Sequence, residues 1–186
     1  EARDFTEHRQ TECAARDARF RHVVYEPMSL SALRRAHRQA YGRALVPHYR
    51  FDRAAIIVGL EADFLGTWLS PVEFTRQYAS RRTPGKAMAR HIQFESGLSL
   101  TGANADERHA VPPSAIGSIA AGVADRIAAK AGRRAGVPAP ALVAARVLDD
   151  LAARLWDHRG EALIVCGVQD VAVQRLVAWI NHLLEA

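Results

Sequence analysis

Apolar positions fall into short runs separated by longer amphipathic stretches. Ala54 to Leu60, AAIIVGL, is rich in β-branched residues and is followed by the turn-prone Glu61-Ala62-Asp63 and then Gly66. A run of that length and composition predicts a strand buried on both faces of a sheet. The same signal predicts strands at His22 to Glu26 (stopped by Pro27), His91 to Glu95, His109 to Val111 (stopped by Pro112-Pro113) and Ala162 to Cys166. Between them the apolar period lengthens to that of a helix. Helices are predicted from Ser29 to Tyr41, ended by Gly42, from Ser70-Pro71 towards Arg81, and from Ser114 to Ala131. Two more follow, from Ala141 to His158 and from Val171 to Leu184. Ser29, Ser70 and Ser114 are the expected N-caps, with Pro71 at the first helical position. This alternation implies an α/β fold: a doubly wound, mostly parallel sheet flanked by helices, Rossmann-like.

The pattern also suggests an organisation. Residues 1–20 are polar and mixed in charge, with Phe5 and Phe20 the only large apolar groups. Residues 21–131 read as one α/β unit. Residues 132–140, GRRAGVPAP, read as a linker whose glycines and prolines forbid continuation of the preceding helix. Residues 141–186 form a second βα unit that either joins the same sheet or continues into a longer chain.

Composition narrows the class. The 186 residues are 49% hydrophobic and 24% charged, values of a globular protein with a sizeable core. No apolar run reaches bilayer length, and the small-residue stretch Ala115 to Ala131 carries Asp125, Arg126 and Lys130, so no direct membrane span is expected. The chain starts at Glu1 without a Met or a recognisable signal peptide, and is expected to be processed or excised from something longer. The formal charge is +5, and Arg34, Arg35 and Arg38 share one helix face. With no nucleic-acid fold signature beside it, that face is read as solvated and no nucleic-acid partner is expected. Cys13 and Cys166 stand far apart without a CxxC, which excludes an iron–sulfur or zinc site built within this chain.

Candidate chemistry concentrates at two strand ends. Ligands of open α/β sheets sit beyond the carboxyl ends of the strands, which directs attention to Gly59 through Gly66 and to the loop after Glu95. No glycine-rich phosphate loop, nucleophile elbow or zinc-binding helix motif is present. Glu61 and Asp63 form a carboxylate pair suited to a cation or to acid–base work, or else to anchoring a turn. Phe64, Leu65 and Trp68 form an apolar cluster that reads as core or as a surface for another domain.

Three segments resemble the molybdopterin oxidoreductase superfamily, and within it the molybdopterin-like, iron–sulfur large subunit of alternative complex III. They are His48 to Arg82 (HYRFDRAAIIVGLEADFLGTWLSPVEFTRQYASRR), Arg90 to Ser114 (RHIQFESGLSLTGANADERHAVPPS) and Leu155 to Leu184 (LWDHRGEALIVCGVQDVAVQRLVAWINHLL). The likeness runs from about Phe20 to the end. It implies a fragment of a larger oxidoreductase subunit in a membrane-associated, quinol-oxidising respiratory complex on the periplasmic face. Partners would be other domains of that subunit and other subunits of the complex, with Trp68 and Phe64 available for docking. Iron–sulfur clusters would lie elsewhere in the full subunit.

The resemblance also locates a vestigial cofactor site at Gly59, Glu61, Glu95, Ser99 and Thr101. Family members that carry molybdopterin guanine dinucleotide use a Gly-Ser-Asn-Pro type loop where this chain has Gly59-Leu60-Glu61-Ala62. Glu61 would set a carboxylate against the pyrophosphate. Glu95 keeps an acid for ribose hydroxyls, and Ser99 and Thr101 keep the family's hydroxyls. Ser96 and Gly97 replace its Pro and Arg, and Ser114 to Ile116 replace a base-reading Gly-Thr-Asp. The implied domain is free of cofactor and not itself catalytic; the alternative is an active oxidoreductase domain that binds the dinucleotide.

Overall fold

In the computed structural model, residues 12–13, 15–17, 19–21, 29–84, 87–137 and 143–186 are described. Helix α1 (Ser31–Tyr41) is followed by β1 (Ile56–Leu60), α2 (Pro71–Ser80), β2 (Arg90–Glu95), the single turn α3 (Leu100–Ala103) and β3 (Glu107–Ala110). Then come a 3-10 turn (Pro113–Ala115), α4 (Ile116–Lys130), α5 (Ala145–Asp157), β4 (Ala162–Cys166) and α6 (Val171–Leu183). The four strands form one all-parallel sheet in the order β3-β2-β1-β4. The fold is therefore α/β and doubly wound, and the strand beyond the glycine–proline segment lies in the same sheet, paired to β1.

Strand alternation sorts the core into two layers. Ile56, Val58, Leu60, Ile92, Phe94, Ile164 and Cys166 face α4, α5 and α6. Ile57, Leu163 and Val165 face the opposite layer of Phe51, Phe64, Trp68, Phe74 and Tyr78. There Phe51 and Phe64 stack with ring centroids 4.4 Å apart, a geometry worth about 1 kcal/mol beyond simple burial. With apolar layers on both sides, β1 and β4 are buried throughout, as parallel strands require.

Edge strand β4 is blunted from within. On its free side the Ile164 amide donates to Asn181 Oδ1 (3.0 Å), and Asn181 Nδ2 donates to the Ile164 carbonyl (2.8 Å). Gln174 Nε2 donates to the Cys166 and Val168 carbonyls, both at 2.8 Å. Two amide side chains of α6 thus take the hydrogen bonds a further strand would make.

Several local expectations shift. Ser29 accepts from the Ser31 amide (3.2 Å), but Leu30 stands at the N-cap of α1. Neither Ser70 nor Ser114 caps through its side chain; Ser114 lies inside the 3-10 turn, and α4 begins at Ile116. The one-turn α3 has no apolar period of its own and escaped sequence reading. Stops fare better. Gly42 and Gly132 adopt φ of 74° and 67°, and after α4 the Arg133 and Gly132 amides donate to the Ala128 and Ala129 carbonyls, a Schellman closure. The helix expected from Ala141 begins at Ala145, with Ala144 at its N-cap; the strand expected at His22 to Glu26 and residues 138–142 lie outside the described residues.

Candidate functional site

The connections leaving β1 and β4 diverge. From β1 the chain turns onto the aromatic layer towards α2, and from β4 it turns onto the other face as α6. Such a switch point at the carboxyl ends is where open sheets leave a ligand crevice. Here the crevice is closed by main chain. The Gly167 amide donates to the Leu60 carbonyl (2.9 Å), and a Cβ at 167 would overlap the Glu61 carbonyl and lie 3.2 Å from Ala62 Cα. Glu61 sits at φ 51°, a left-handed conformation uncommon for a residue with a side chain. That bend sends its carboxylate sideways, where Oε1 accepts from the Ser96 amide at 2.7 Å.

The second strand end is held by Glu95. Only 2% of this residue is exposed. Its Oε1 accepts from Arg108 Nε (2.5 Å) and the Ser99 amide (3.2 Å), and its Oε2 from the Ser99 hydroxyl (2.6 Å) and Gln93 Nε2 (3.4 Å). Burial pushes the carboxyl up, but these donors outweigh it and hold it below the usual glutamate range. Ser99 Oγ meanwhile accepts from the Gly102 amide (2.9 Å) and caps α3. A Cβ at Gly102 would overlap the Glu95 carboxylate, so a side chain there would have to displace it.

Asp63 ties the two loops together. Its Oδ1 accepts from the Thr101 hydroxyl (2.8 Å) and amide (3.1 Å), while Thr101 Oγ1 accepts from the Leu65 amide (2.9 Å). Deeper in, Gly59 leaves room for the Gln93 carboxamide, which occupies the space of the missing Cβ. His91, Gln93 and Glu95 therefore form a buried polar ladder along one side of β2. Gln93 Oε1 lies 3.3 Å from His91 Nε2, and the Tyr78 hydroxyl, which donates to the Asn104 carbonyl (2.9 Å), lies 3.2 Å from Nδ1. Burial pushes the imidazole down to about 4, and it stays neutral at physiological pH.

All five residues of the sequence-derived site thus converge, and each is engaged by the protein itself. The Glu61 carboxylate takes up the Ser96 amide. The Ser99 and Thr101 hydroxyls each already donate to a carboxylate and accept from an amide. These residues do not fit a guanine dinucleotide: a carboxylate already lies on the Ser96 amide, where it would repel a phosphate, and the hydroxyls are occupied. Glu61 and Asp63 engage different residues of the β2–β3 connection, Ser96 and Thr101, and among the described residues no group of three metal-ligating side chains forms.

One expectation is overturned. Phe64 is fully buried and Trp68 is 6% exposed, both within the aromatic layer. They are core, and neither is available for docking. Sequence reading also missed Arg108, which sets a cation beside Glu95, and Gly167, which closes the crevice. The polar alternation His91, Gln93, Glu95 in a strand otherwise built of Ile92 and Phe94 was the available signal for the ladder. Cavities lie elsewhere: one of about 950 Å³ between α4 and α6 lined by Gly117, Val173 and Trp179, and one of about 500 Å³ beside the start of β4. No protein-family model and no curated protein matches this chain.

Proposed function

We propose that this chain is a molybdopterin oxidoreductase-type domain whose cofactor groups serve internal contacts, and that it acts as a structural part of an electron-transfer subunit. The observation that carries the reading is the Glu61 carboxylate on the Ser96 amide, 2.7 Å away. A loop amide that would greet a phosphate is met by the protein's own anion. The occupied Ser99 and Thr101 hydroxyls and the closed crevice at Gly167 support it in the same direction.

The wider setting rests on the resemblance: a membrane-associated, quinol-oxidising complex on the periplasmic face, with iron–sulfur clusters in other parts of the subunit. None of the described helices is long and apolar enough to cross a membrane, so contact with such a complex would run through surface docking.

Two measurements test this. Thermal unfolding with added guanine nucleotides reads binding directly, because a ligand at a hundredfold its Kd stabilises by about 2.7 kcal/mol; no shift at millimolar nucleotide is expected. Molybdenum, tungsten and pterin content of the protein isolated from its native host should be substoichiometric. A nucleotide-dependent rise in Tm, or one metal per chain, would instead establish an active dinucleotide-binding domain.

A further inference from the structure

Away from these strand ends, the charge of the chain is unevenly placed. Residues 27–51 contain five arginines and no acid, so the other 20 cationic residues balance the 20 acidic ones and the whole +5 resides in this stretch. Most of it is α1. That helix buries Ala32, Leu33 and Ala36, and it packs against α6. Helical geometry then sets Arg34 and Arg38 (i, i+4) on the side directly opposite, with Arg35 flanking them, while Tyr41 turns back and its hydroxyl donates to the Ala178 carbonyl of α6 (3.3 Å). All three arginines are exposed, as is Arg43 beyond the helix. Some other arginines of the fold pair with acids, such as Arg82 with Asp106 and Arg154 with Glu107. Arg34, Arg35, Arg38 and Arg43 have no carboxylate partner among the described residues.

Exposed apolar groups follow Arg43 in the chain: Leu45 is 45% exposed and Val46 41%. Against a nucleic-acid backbone or in water, Leu45 and Val46 gain nothing. At a bilayer interface they enter the acyl boundary while the guanidinium groups meet anionic headgroups.

We infer that the α1 face with Arg34, Arg35 and Arg38, continued by Arg43, Leu45 and Val46 after the helix, is a peripheral docking surface for an anionic lipid bilayer. Arginine suits the role because its guanidinium pairs with phosphate oxygens in two parallel hydrogen bonds. The surface needs neither the cofactor site nor the resemblance.

The test is vesicle co-sedimentation of the full chain with phosphatidylcholine alone and with phosphatidylcholine–phosphatidylglycerol mixtures, at low and high salt. Binding is expected only to the anionic vesicles and should fall with salt. Each arginine near such a surface contributes about fivefold, so Arg34→Gln/Arg35→Gln/Arg38→Gln should lower the partition coefficient on the order of a hundredfold. Removing the same charge at Arg133, Arg134 and Arg175 should change it far less. Leu45→Ser/Val46→Ser should weaken binding at unchanged charge. Circular dichroism checks that the variants fold, which their exposed, unpaired positions favour. Failure to bind anionic vesicles at low salt would overturn the assignment, as would equal losses in the two triple variants. Indifference to Leu45→Ser/Val46→Ser with equally tight binding to duplex DNA would point to a nucleic-acid face and overturn it too.

Discussion

Replacing Glu95 with Gln separates a carboxylate that holds the fold from one kept for a ligand. Glu95→Gln preserves shape but removes the charge that faces Arg108 Nε at 2.5 Å and the Ser99 hydroxyl at 2.6 Å. The new amide nitrogen also faces donors, either Gln93 Nε2 or the Ser99 amide, depending on its orientation. Two charge-assisted bonds are weakened and one donor pair is opposed, each worth about 1.5–3 kcal/mol when buried. Arg108 is 27% exposed and recovers some hydration, so the net loss comes to about 3 kcal/mol. For a chain of this size that lowers Tm by roughly 6–12 °C. Urea unfolding followed by tryptophan fluorescence at pH 7 measures it, and a cycle with Arg108→Met should return a coupling of about 1–3 kcal/mol. The folded carboxyl titrates below its unfolded value, so this contribution is present above about pH 4.3 and fades as acid titrates the folded group. A Glu95→Gln protein as stable as its parent, or more so, would refute the reasoning. That is the behaviour of a residue held in place for binding, and it would reopen the dinucleotide reading.

Gly167→Ala should destabilise by about 3 kcal/mol in thermal or denaturant unfolding, because its Cβ would overlap the Glu61 main-chain carbonyl, which has no flexible end to move aside. Asn181→Ala should lose about 2 kcal/mol by exposing the Ile164 amide and carbonyl on the β4 edge, and light scattering should show increased self-association. His91 is pushed down to about 4 by burial, so the unfolded chain binds its proton more tightly. Its contribution is complete above pH 6.5 and erodes by about 3 kcal/mol as pH falls towards 4; His91→Gln should flatten that part of a stability–pH curve.

The β4 strand was legible to the residue, because Ala162 to Cys166 is an unbroken apolar run between a glycine turn and a polar loop. Helix ends at Gly42 and Gly132 were legible for a related reason: a left-handed residue is demanded locally, and glycine meets that demand without strain. The N-caps at Ser70 and Ser114 misled, since whether a hydroxyl turns back onto the helix depends on the direction from which the chain arrives. Residue types at the strand ends were likewise readable; their pairings were not. Nothing in the order of residues says that Glu61 reaches Ser96, that Asp63 reaches Thr101, or that Arg108 crosses to Glu95.

What the sequence determined by itself was the local and periodic part: buried runs, amphipathic stretches, glycine stops and the concentration of charge on α1. Only the tertiary structure decided which edge β4 joins, that Trp68 lies inside the core, and that the acids at the strand ends are satisfied by the protein's own amides and hydroxyls. The physical reason is range. Periodicity and turn chemistry act over a few neighbouring residues, whereas burial and hydrogen-bond satisfaction depend on atoms that 30 or more residues of intervening chain bring together, as with Glu61 and Ser96.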